Sequence, residues 1–100
     1  MTATVRPGAE LAECIADAVR AHPAVAGLHG GPSGMVASYL PSGPVVGVRA
    51  SVAGEPVELA VVLRFGHPVP AVAAELRAAV RRLAGPVAVD ILVADLTEAA

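Results

Sequence analysis

From Ala21 to Val48 the chain carries no Asp, Glu, Lys or Arg, and the same stretch holds four prolines and six glycines. An uncharged run of that length invites a membrane helix, but a span needs about 20 consecutive helical residues. Proline lacks the backbone donor and clashes inside a helix, so the punctuation leaves no room for one. Disorder fails the opposite test. Of the residues, 55% are hydrophobic and 16% charged, whereas unfolded chains combine low hydrophobicity with high charge. The stretch reads instead as short apolar strands separated by turns.

A chain of 100 residues matches one domain, which usually runs to about 100–150 residues. We read residues 1–100 as a single domain with its core at about 9–96 and short flexible ends. The net charge of -2 offers no basic surface for displacing counterions from phosphates. A lone cysteine, Cys14, excludes an internal disulfide and a cysteine zinc cluster. Met1 to Glu10 lacks the basic-then-apolar pattern of a secretion signal. A cytoplasmic location is the expectation.

Two helices are legible from spacing. Leu11, Cys14, Ile15, Ala18, Val19 and His22 recur at three- and four-residue steps, which predicts a helix over 9–21 ended by Pro23. Val69, Val72, Leu76, Val80 and Leu83 form a second stripe, with Pro70 near its start and Gly85-Pro86 at its end. Between them, Ala24 to Leu28 and Met35 to Leu40 are short apolar runs. Val45 to Val52 and Val57 to Phe65 alternate, which predicts a hairpin closed by Ala53-Gly54-Glu55-Pro56. If Val52 pairs with Val57, Arg49 falls opposite Ala60. A last strand places Val87, Val89, Ile91 and Val93 on one face. The fold class is α+β: a two-layer sandwich with two helices on one face of a three- to five-stranded mixed, mainly antiparallel sheet. Its order is α-β-β-β(-β)-α-β, and the crossover through the second helix suggests one parallel pair.

Chemistry is harder to find. The glycine-rich loop His29-Gly30-Gly31-Pro32-Ser33-Gly34 resembles a phosphate cradle, but strong cradles lead into a helix and this one leads into a strand. His29, Gly30, Gly31 and Ser33 are the residues a small ligand or nucleic acid would use there. His22, His29 and His67 lack the local spacing of a metal site, so no metal or cofactor is expected. Ser33 misses the nucleophile elbow because Met35 stands where the last glycine should be. A catalytic site would need His29, Tyr39 and a carboxylate to converge; no enzymatic role is expected. The second face of the hairpin is mixed, with Val45, Arg49, Glu58, Val62 and Arg64 among small residues, where a solvated face would be uniformly polar. That mixture marks an expected face for docking another subunit or protein.

Together these segments resemble the alkaline-shock (general-stress) envelope protein family in its compact actinobacterial form. The resemblance rests on Ile15-Ala16-Asp17-Ala18-Val19, Pro23-Ala24-Val25-Ala26-Gly27-Leu28, Val36-Ala37-Ser38-Tyr39-Leu40-Pro41 and Gly47-Val48-Arg49. It continues through Val57 to Gly66, Pro68-Val69-Pro70 and Val89-Asp90-Ile91 to Asp95. It implies a small non-catalytic cytoplasmic protein of envelope homeostasis or stress. Such a protein is held at the membrane through integral protein partners, self-associates in some members, and carries no direct span. The charged tails of larger members are not seen in this chain.

Overall fold

The computed structural model describes residues 10–98. The expected start of the first helix at Ala9 and the expected flexible ends lie outside them. The first helix, α1, spans Leu11–Arg20. The Glu13 carboxylate accepts the Glu10 N–H at 3.3 Å, so an otherwise unpaired donor at the helix start is satisfied. The chain then turns at Pro23 into β1, Val25–Leu28. A separate hairpin follows, β2 (Ala37–Leu40) and β3 (Gly43–Val46), then a two-residue strand, β4 (Val48–Arg49). The long strand β5 is Val57–Arg64, the second helix α2 is Val69–Ala84, and β6 is Val89–Thr97.

These elements form a two-layer α+β arrangement. β5 is the centre of the main sheet: β6 lies along one edge in parallel, and β1 and β4 lie along the other, both antiparallel. Val57, Leu59, Val61 and Leu63 of β5 face the helices and are buried with Val25, Val48 and Val89. Ile15, Val19, Val72, Leu76 and Val80 complete the same core from the two helices. Each helix therefore buries one stripe against one sheet face, the arrangement that single-striped helices require. The parallel pair β5–β6 is the one closed by the α2 crossover.

The expected strand over Val45 to Val52 is broken. Gly47 takes φ +92°, and on its two sides the chain belongs to different ladders: β3 pairs with β2, and β4 pairs with β5. Val45 and Val48 both reach the core, while Val46 and Val52 are exposed. The hairpin register differs too. Arg49 pairs with Glu58 rather than Ala60, because the chain from Ala50 to Pro56 leaves the sheet as a longer connection. Phe65, the last residue of the expected strand, falls just past the end of β5 and is exposed.

β1 and β4 share one edge of β5 end to end. The N–H of His29 donates to the Ala60 carbonyl at 2.9 Å, and the Ala60 N–H donates to the Gly47 carbonyl at 2.9 Å. His29 and Gly47 thus divide between them the two bonds that one residue of a continuous strand would make. The β2–β3 hairpin is an insertion in that strand. Its neck is closed by Val36, whose N–H donates to Gly30 O (3.1 Å) and whose carbonyl accepts the Gly47 N–H (2.7 Å). Ser38 ties it to the sheet: its buried hydroxyl donates to Val48 O at 2.7 Å and accepts the Ala50 N–H at 3.0 Å.

Candidate interaction site

The inserted hairpin has two faces. Across the ladder Ser38 stands opposite Val45, and both are buried toward the sheet. On the other side Tyr39 stands opposite Pro44, and Val46 opposite Ala37. Tyr39 is 77% exposed and Val46 47% exposed, with Pro44 exposed between them. An aromatic ring and two apolar side chains on a two-stranded surface form the kind of patch that docking uses, since Tyr supplies large contact area with little rotamer loss.

Two grooves flank this face. One, of about 430 Å³, is lined by Tyr39, Leu40, Arg49, Ser51 and Pro56. The other, of about 570 Å³, runs between the hairpin and α1 past Asp17, Arg20, Pro44 and Val46. Arg49 sits beside Tyr39 with its Nε 3.0 Å from Glu58 Oε1, and a further N–H reaches Met35 O at 3.4 Å. Both partners are about half exposed, so the pair adds little to the stability of the fold.

The docking face expected from sequence is only partly assembled. Val45 is a correction: it is buried in the core rather than on the outer face, because the break at Gly47 reverses its alternation. Arg64 turns back along the chain, its Nη1 donating to Pro23 O (2.9 Å) and to Val25 O (2.6 Å), where it braces the start of β1. Val62 is half-buried. Arg49 and Glu58 remain at the surface, paired with each other. The spacing of Tyr39, Pro44 and Val46 gave no warning of a shared face, because it depends on the tight Leu40–Gly43 turn that closes the hairpin.

The glycine loop uses several of its amides within the chain. His29 Nδ1 accepts the Gly31 N–H at 2.9 Å, Gly31 O accepts the Gly34 N–H at 3.1 Å, and Gly30 O accepts the Val36 N–H at 3.1 Å. A phosphate cradle needs such N–H groups aimed outward. Gly31 is buried near Val36 and Leu92, so the loop works as a lid on the outer sheet face. Ser33 is exposed. The grooves beside Tyr39 and Val46 do not include His29, so the three-residue catalytic constellation is not brought together there.

The other histidines are tied into the fold or exposed. His22 links the helices, its Nε2 lying 2.5 Å from Glu75 Oε1 while Nδ1 accepts the Ala24 N–H at 3.0 Å. His67 is exposed in the turn before α2. Cys14 is buried on α1. Among the described residues no three His, Cys, Asp or Glu side chains gather as a metal site, and no helix is long and apolar enough to cross a membrane. Compared with family models, with curated proteins and with solved structures, the chain matches none.

Proposed function

We propose that the chain is a non-catalytic protein-interaction module that docks a membrane-anchored protein partner at the cytoplasmic face of the cell envelope. The observation that carries this reading is Tyr39, 77% exposed on an apolar hairpin face and sharing a groove with Arg49. Tyr and Arg are among the residues that dominate binding energy at protein interfaces, and here both line one groove. The envelope setting, in homeostasis or stress, follows from the resemblance to the alkaline-shock proteins. Ligand or nucleic-acid binding through His29, Gly30, Gly31 and Ser33 draws little support from a loop in which the His29, Gly31 and Gly34 amides are already bonded within the chain.

The test exchanges Tyr39→Ser and Val46→Glu together. Both side chains are exposed, so far-UV circular dichroism and thermal stability should match those of the native chain. Recovery of the chain with detergent-solubilised membrane proteins should fall roughly 30-fold, as expected for loss of a hot-spot residue. Equal recovery of variant and native chain would overturn the reading.

A further inference from the structure

Among the described residues, β6 has β5 on one side and no strand on the other. The Val57 N–H bonds Ala88 O at 2.9 Å. Backbone groups alternate along a strand, so those of Val89, Ile91 and Val93 point away from β5. The start of that edge is covered by α2: Arg77 Nε donates to Val89 O at 3.1 Å and Arg81 Nε to Val87 O at 3.0 Å. Further along, Val61 pairs with Val93 but Val62 pairs with Asp95, a bulge at Ala94 that reverses the alternation. The Phe65 N–H bonds Thr97 O at 2.8 Å, which turns the backbone of Leu96 to the open edge. The Leu96 side chain, on the helix side with Leu63, is 41% exposed. Glu98 follows two residues on.

The edge therefore has a basic end, Arg77 and Arg81, and an acidic end, Glu98. None of the three is in an ion pair among the described residues. A shallow groove of about 380 Å³, lined by Val36, Glu58, Arg77, Asp90, Ile91 and Leu92, opens beside the start of this edge.

We propose that this edge pairs antiparallel with the same edge of a second copy, with Val93 on the two-fold axis. Because each strand carries the bulge, this register puts Leu96 of one copy opposite Ile91 of the other, and both present backbone groups to the shared edge. Glu98 then lies opposite Val89, within reach of the Arg77 and Arg81 guanidiniums. The contact is isologous, so each favourable pair occurs twice. The Leu96 N–H, now met by its neighbour Asp95 Oδ1 at 2.8 Å, exchanges that exposed bond for one across the dimer. A parallel arrangement would place Arg77 against Arg77 and Glu98 against Glu98, which the charges oppose. The inference goes beyond the hairpin reading and uses a different surface.

Sedimentation equilibrium of the full chain tests it. The native chain should form a reversible dimer that weakens at about 1 M salt, where the screening length falls to about 3 Å. Val93→Pro removes an N–H that faces away from β5, so it should leave the fold intact and abolish the dimer. Arg77→Glu with Arg81→Glu, or Glu98→Arg alone, should each raise the dimer dissociation constant about tenfold. Mixing the two charge variants should restore a heterodimer tighter than either homodimer. That rescue separates lost complementarity from damaged folding. A native chain that stays monomeric, a dimer indifferent to Val93→Pro, or a mixture without a heterodimer would each overturn the proposal. Tyr39→Ser with Val46→Glu should leave the dimer unchanged, so failure of one surface is distinguishable from failure of the other.

Discussion

Gly47 and Gly54 share a backbone angle, φ +92°, and differ in what surrounds them. A Cβ on Gly54 would meet nothing within 4 Å, so Gly54→Ala carries only the strain of a left-handed conformation, about 1–2 kcal/mol. A Cβ on Gly47 would lie 2.6 Å from Leu28 Cβ and 3.0 Å from both Ala60 O and His29 N. Two of those atoms are backbone in the junction of β1, β4 and β5, which cannot step aside without losing ladder bonds. Overpacking adds a further ~1–3 kcal/mol, so Gly47→Ala should cost roughly 3 kcal/mol or more in urea unfolding. Equal losses for the two variants would mean that β1 and β4 do not meet as closely as described. Nothing in the sequence separates Gly47 from the five other glycines between Ala21 and Val48. Its role comes from Leu28, His29 and Ala60, and a reading of local turn chemistry has no access to contacts of that range.

The inserted hairpin carries the same lesson one level up. β5 and α2 were legible because each buries a single face against a single layer: Val57, Leu59, Val61 and Leu63 alternate, and Val72, Leu76 and Val80 recur with helical spacing. The segment from Val45 to Val52 alternates just as well, yet it serves two ladders and bends between them. Periodicity reports that a face exists, not which partner it faces, so the broken strand passed as a whole one and carried Val45 and the Arg49 register with it. If β1 and β4 are one interrupted strand, removing residues 30–47 and joining His29 directly to Val48 should restore an unbroken strand beside β5. The registers agree, since Leu28 pairs with Val61, His29 donates to Ala60, and Val48 pairs with Leu59. The shortened chain should fold cooperatively, with slow amide exchange along β5, though weakened by about 3–5 kcal/mol for the loss of Val45 and its buried neighbours. It should also lose the partner proposed for Tyr39. Fast exchange throughout β5 would show that the hairpin is part of the folding unit rather than an insertion.

At the scale of the whole molecule, the core is assembled from Val, Leu, Ile and Ala, with no aromatic ring in it. The chain has one Tyr, one Phe and no Trp, and both rings lie outside the core: Tyr39 77% and Phe65 54% exposed. Small side chains let β1 and β4 crowd against β5, but they leave the folded state without a buried chromophore. Tyrosine emission and near-UV dichroism should therefore change little across thermal unfolding, while far-UV dichroism records the loss of both helices and the sheet in one transition. The same exposure makes Tyr39 a selective reporter. A partner seated on the hairpin would desolvate the ring, so its emission and near-UV dichroism should change on binding at concentrations where the far-UV signal stays constant. Dimerisation through β6 would leave Tyr39 untouched, because that edge lies across β5 from β4. A tyrosine signal that tracks dilution of the chain alone would place self-association on the hairpin and remove the distinction between the two surfaces. A signal that tracks only an added membrane partner would assign the hairpin to that partner and leave β6 to the second copy.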